Sequence, residues 1–209
     1  MGEFSDRFLA GLASGYLRFV HATSKVTLEG RSDLLNGDET FAVGFWHGDS
    51  YCYYPRLQGR GDVIVTTINW RGGVVDALGR RFGYNPVRLP DGHNPDASLQ
   101  SLRRMLADAK NHNICFSMDG PLGPHHVPGR FFLTAAYLSK KRILPISVRV
   151  TRKIRSKKRW DKYMMPLPFS RLTFTFHDPL EVKKSGFDAL AATIIERMDK
   201  EESVCKGNP

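Results

Sequence analysis

The sequence predicts an α/β protein of one domain, residues 1–209, with a largely parallel central sheet flanked by helices. Three observations predict it. Apolar runs of strand length alternate with helical patterns of roughly 10 to 15 residues, the rhythm of repeated strand–helix–strand units. A chain of 209 residues is long enough for one full core. Its 41% hydrophobic and 25% charged residues are ordinary for a globular domain, and no internal repeat, low-complexity tract or linker divides it.

The elements follow in order. Phe4 to Val20 reads as a helix in which Phe8, Leu12 and Tyr16 form one i, i+4 row, flanked by Leu9, Phe19 and Val20. Small residues (Ala10, Gly11, Ala13, Ser14, Gly15) thin its middle, so the amphipathic segment 1–22 can pack on the domain or lie at a bilayer surface. Strands are expected at Val26–Leu28, Phe41–Trp46 and Val63–Ile68. Gly73–Phe82 has Val74, Val75, Leu78 and Phe82 at helical spacing, with Gly83 as the stop. Asn94-Pro95 opens the next helix as cap and first residue, and Leu99, Leu102, Leu106 and Ala109 mark its buried stripe. Asn113–Met118 is a strand and Gly129–Lys140 a helix. Ile143–Val150 is a strand in which Pro145 predicts an edge or a bulge. Leu172–Phe176 alternates as a half-exposed strand does. Phe187–Cys205 is a helix with Leu190, Ile194, Ile195 and Met198 on one face.

Composition narrows the function classes. No run of apolar residues reaches the length of a membrane span, and Glu3 and Asp6 stand where a signal peptide needs positive charge. Asp6 also occupies the Ser/Thr position of a myristoylation motif. Cys52, Cys115 and Cys205 are too far apart for a disulfide framework or a zinc pattern, which fits a reducing cytoplasm. The net charge of +10 is concentrated, because twelve of the 31 Lys/Arg and a single acid, Asp161, lie between Lys140 and Arg171. Its densest part, Arg149 to Arg159, runs into Trp160, Tyr163, Met164 and Met165. Anionic lipid headgroups, nucleic acid or an acidic carrier protein would each answer such a patch. Bulky apolar groups beside the cations favour an anionic membrane surface, bound through residues 149–165. The lack of stacking aromatics interleaved among the basic residues argues against nucleic acid.

Chemistry is suggested at two places. His47 ends the apolar run Phe41–Trp46, and Asp119 follows Asn113–Met118 on a stiff Pro/Gly loop, Asp119-Gly120-Pro121-Leu122-Gly123-Pro124. A histidine and a carboxylate at the carboxyl ends of buried strands is a common way for an open α/β sheet to build a site. His47 is the candidate general base, Asp119 its partner or a substrate ligand, and Arg71 and Arg88 the candidate anion holders. No phosphate-cradling glycine motif and no G-x-S-x-G elbow is present. His125-His126, with His93 and His112, suits few metal geometries, and no metal is expected.

Together these motifs resemble the lysophospholipid acyltransferase superfamily, the glycerolphosphate acyltransferase fold. The resemblance is strongest to a bacterial branch with a domain of unknown function. It rests on Trp46-His47-Gly48, on Asp119 to Pro124, on the glycine-led helix from Gly129 and on Ile143-Leu-Pro-Ile146. It rests also on Trp160-Asp161-Lys-Tyr163 and Pro166-Leu-Pro-Phe-Ser170. The matches follow the family's order. The resemblance implies transfer of a fatty acyl group from a thioester donor, acyl-CoA or acyl-carrier protein, to a hydroxyl of a lysophospholipid or related lipid acceptor. It implies no other cofactor, and a protein peripheral on the membrane. His47 would deprotonate the acceptor. Arg88 and the Asp119-Gly120-Pro121 stretch, with Gly123 and Pro124, fall where the family holds the anionic headgroup. A non-catalytic lipid- or headgroup-binding member of the fold is the alternative.

Two departures from the family matter. Its His-x4-Asp motif would put an acid at position 52, which is Cys52. His47 must then be oriented by Asp119, by Asp49 on a non-helical turn, or by a backbone carbonyl; on a helix Asp49 would face the wrong side. The branch's Arg-Gly-Ser-Ser reads Arg88-Leu-Pro-Asp-Gly92 here, so acceptor contacts differ there.

Overall fold

A computed structural model describes residues 3–57, 61–68, 70–90, 95–120 and 122–204, without the side chains of residues 3, 70, 71, 95–98 and 200–204. The helices are α1 (Glu3–Thr23), α2 (Trp70–Arg81), α3 (Pro95–Asp108), α4 (Arg130–Leu138) and α5 (Phe187–Val204). The strands are β1 (Lys25–Gly30), β2 (Ala42–Phe45), β3 (Val63–Thr67), β4 (Asn85–Leu89), β5 (Ile114–Ser117), β6 (Ile143–Val150), β7 (Lys153–Arg155), β8 (Met164–Pro166) and β9 (Arg171–Phe176). Seven strands form one sheet in the order β1-β9-β6-β2-β5-β3-β4, and β7 and β8 form a separate two-stranded antiparallel hairpin. Every neighbouring pair in the large sheet is parallel except β6 with β9. The expected mixed α/β class with a mostly parallel, helix-flanked sheet is the observed one.

Alternation along the strands makes the layers. Val43 and Phe45 of β2, Cys115 of β5, Ile64 of β3, and Leu144 and Ile146 of β6 pack with α1 and α2 on one face. Ala42, Ile114, Phe116, Val63 and Ile143 pack with α3, α4 and α5 on the other. A period of two along each buried strand therefore feeds two separate cores. Packing is close at Gly44, where a Cβ would lie 2.5 Å from Met118 Sδ.

Three expectations about elements are corrected, and of the two placements open to α1 the helix packs on the domain with its apolar row outward. The Phe8–Leu12 row of α1 faces outward, with 59% and 61% of those residues exposed, while Ala10, Ser14, Leu17 and Val20 are buried. The small residues are the contact face because they let α2 come close: a Cβ on Gly11 would already touch the Arg81 guanidinium at 3.3 Å. Pro145 lies in an interior strand. It is tolerated where β6 changes partners, since pairing with β2 ends at Gly44↔Pro145 and pairing with β9 starts at Ile146↔Phe176. Leu172, Phe174, Thr175 and Phe176 are all buried because β9 is flanked on both sides. Finally, β4, β7 and β8 are strands where none was expected.

Candidate active site

Registry brings the two motifs together. Phe45 and Ser117 are paired last residues of β2 and β5, and Met118 N–H donates to Phe45 O at 2.9 Å, so His47 and Asp119 leave adjacent strands side by side. The contact between them differs from the expected one. Asp119 Oδ1 accepts the backbone N–H of His47 at 2.7 Å, and Oδ2 accepts the backbone N–H of His126 at 3.0 Å. Asp119 is buried and clamps main chain to main chain, without hydrogen-bonding the imidazole.

The imidazole is held by Asp161, marked in the sequence only as the lone acid of the basic run and as part of the Trp160-Asp161-Lys-Tyr163 element. His47 Nδ1 lies 3.0 Å from Oδ2 of Asp161, whose side chain is fully buried. Arg159 Nε and Tyr163 N–H donate to Asp161 Oδ1 at 2.9 and 3.2 Å, and an Arg159 terminal nitrogen donates to Oδ2 at 2.7 Å. Burial opposes ionisation of this carboxyl, but Arg159, first by its hydrogen bonds, and then His47 outweigh it and hold it below the usual carboxylate range. An ionised carboxylate only accepts, so Nδ1 of His47 must donate, and in the neutral ring Nε2 carries the lone pair. Asp49 sits on a 3₁₀ turn, His47–Cys52, and pairs with Arg155 at 3.6 Å. Cys52 is buried, and burial, then Asp49, pushes its thiol well up.

Three glycines allow the three motifs to meet. A Cβ on Gly48 would stand 2.2 Å from the Asp161 carbonyl oxygen, one on Gly120 2.7 Å from His47 Cδ2, and one on Gly123 2.7 Å from the Trp160 ring. Gly123 also takes φ +80°, which favours glycine, and its bond to Pro124 is cis. The indole of Trp160 and the ring of Tyr163 then wall His47, with centroids 5.5 and 5.7 Å away. Tyr163 is fixed in turn by Ser50, their hydroxyls 2.8 Å apart.

His47 opens onto a cavity of about 1150 Å³. Its walls are mainly apolar and aromatic, including Phe45, Tyr53, Tyr54, Leu57, Ile64 and Tyr84, with Leu9 of α1 and Ile154 of the hairpin near the outside. Gly120 and Leu122 contribute to it, and Arg159 is the one Lys or Arg lining it among the described residues. Arg88, one of the two expected anion holders, does not. The Arg88 guanidinium donates to the Thr67 and Ile68 carbonyls at 3.4 and 2.6 Å, at the end of β3. The Arg71 side chain and Pro121 lie outside the described residues. The 149–165 segment is also less external than expected: Asp161 and Met164 are buried, Tyr163 turns inward, and Arg149 pairs with Glu29 at 3.0 Å, while Lys157, Lys158 and Lys162 stay exposed.

The chain superposes with a TM-score of 0.60 on the 1-acyl-sn-glycerophosphate (LPA) acyltransferase PlsC of Thermotoga maritima, covering 99% of this chain and 84% of that one. The two share a fold. Their sequences are only 18% identical, so the likeness speaks for architecture. In sequence, the chain is 27% identical over 171 residues to uncharacterized protein RP090 of Rickettsia prowazekii (strain Madrid E), across 79% of this chain and 77% of that one. No family model matches.

Proposed function

We propose that the protein is an O-acyltransferase, moving a fatty acyl group from a thioester (acyl-CoA or acyl-carrier protein) to a hydroxyl of a lysophospholipid or related lipid, with His47 as general base. The observation that carries this is an imidazole, pinned through Nδ1, at the mouth of a large apolar cavity. The fold it shares with an LPA acyltransferase supports the same reading.

In this scheme the acceptor hydroxyl gives its proton to His47 Nε2 as its oxygen attacks the thioester carbonyl. The tetrahedral adduct collapses, the C–S bond breaks, and the leaving thiolate takes the proton back from the imidazolium. General-base help of this kind supplies roughly 10²- to 10⁴-fold, about 3–5 kcal/mol. Each acyl methylene buried in the cavity adds about 0.8 kcal/mol of binding. No described helix is long and apolar enough to cross a membrane. Peripheral attachment is proposed instead, through the outward row Phe4, Phe8, Leu12 and Phe19 of α1 and the exposed Lys157, Lys158 and Lys162.

The test is thioester consumption in the presence of lysophospholipid vesicles. His47→Ala is expected to lose acyl transfer by at least about 10²-fold while remaining folded. Undiminished turnover in that variant ends the proposal. A non-catalytic lipid-binding member of the fold would bind the vesicles and leave the thioester intact.

A further inference from the structure

We infer that Asp161 is the positioning acid of the site, fixing His47 in the tautomer that can accept a proton, and that it takes over from the acid that the family resemblance places at position 52. The inference rests on the acyl-transfer reading for its kinetic part only. Position 52 holds a buried, neutral cysteine, and the Asp119 carboxylate is engaged by main-chain amides. Asp161 reaches Nδ1 from 114 residues away in sequence, on the connection between β7 and β8.

The donors around Asp161 make the orientation specific. Oδ1 receives Arg159 Nε and the Tyr163 amide; Oδ2 receives the other Arg159 nitrogen and faces His47 Nδ1. Every donor that meets this carboxylate is fixed, so the one proton left to place is that of the imidazole, and it must sit on Nδ1. Gly48 is part of the same device, because its missing Cβ is what lets the Asp161 backbone lie against the His47 turn. The charged and titratable groups facing the ring are therefore Asp161, Arg159 and Tyr163 from the hairpin side.

Asp161→Asn is the deciding variant. Oδ1 meets two fixed donors and Oδ2 one, so the new amide places its oxygen at the Oδ1 site and its NH₂ toward His47 Nδ1, giving up the Arg159 contact there. That amide donates, Nδ1 must accept, and the proton moves to Nε2, where the base is blocked. The expected results are a reversal of the His47 tautomer by ¹⁵N NMR, a kcat for acyl transfer lower by roughly 10²- to 10⁴-fold, and a KM within a few-fold of the parent. An unchanged tautomer overturns the inference, and so does a reversed tautomer with kcat retained. If the variant does not fold, the ¹⁵N spectrum of the parent protein decides: protonated Nδ1 with a lone pair on Nε2 supports the inference, and the opposite overturns it. The NMR readout needs no substrate. A parent protein that transfers no acyl group therefore fails the proposed function while leaving this test standing.

Discussion

The two edges of the central sheet both bury carboxylates, and they use them differently. At the amino edge, Asp62 accepts the Asn113 backbone N–H at 3.0 Å and its side-chain amide at 3.1 Å, while Asn113 Oδ1 accepts the Phe41 N–H at 2.7 Å. That network ties the starts of β2, β3 and β5 together. At the carboxyl edge, Asp119 performs the same service for the chain leaving β2 and β5. Asp161 accepts one main-chain N–H, from Tyr163, and is otherwise turned on a guanidinium and an imidazole beside a cavity. Burial alone does not distinguish an architectural acid from a chemical one; the partners do. Oxygens spent on main-chain amides hold shape, and oxygens spent on titratable side chains set protonation.

The comparison can be broken most forcefully at the amino edge. Asn113→Ala orphans the Phe41 N–H at about 1–3 kcal/mol and deprives the Asp62 carboxylate of a donor. We expect a loss of about 3 kcal/mol or more in denaturant unfolding with kcat unaltered; a kinetic defect without a stability defect would reverse the assignment of that edge. Asp119→Asn should cost about 1–3 kcal/mol, since an amide NH₂ would confront one of two backbone donors. Any drop in rate there should come with an unmoved His47 tautomer, in contrast to Asp161→Asn. The smallest expected effect is in acid. Asp161 has a depressed folded value, so the stability it contributes is complete above the unfolded value near pH 4 and is lost as pH falls through the folded one. An acid-unfolding curve of the parent should therefore be steeper below about pH 4 than that of Asp161→Asn, and coincident curves would show the Arg159 and His47 contacts to be without thermodynamic weight.

Much of this architecture was legible in the chain. The apolar runs ending at His47 and Asp119 are buried parallel strands, and the adjacency of their ends follows from the sheet order. The missed strands are short or interrupted: β7 and β8 have three residues each, and β4 places Pro86 and Arg88 among five. Pro86 is acceptable there because β4 is an outermost strand. The apolar row of α1 left its placement open, because such a row serves burial or a surface equally; close helix packing selects the small residues and leaves Phe8 and Leu12 outside. Asp161 carried a visible signal, the single acid in a long cationic run, set between Trp160 and Tyr163. Charge counting hid it. An isolated carboxylate among cations and aromatics is better read as a paired, inward-facing group. The outward turn of Arg88 onto carbonyls had no sequence signature at all.

The position of Asp161 also has a consequence for biosynthesis. Strands β2 to β5 and the histidine leave the ribosome well before the hairpin does, so part of the sheet can form while the proposed base has no counter-ion. On the proposed reading, competence would arrive only when the hairpin docks, which would make turnover a sensitive gauge of whether folding has run to its end.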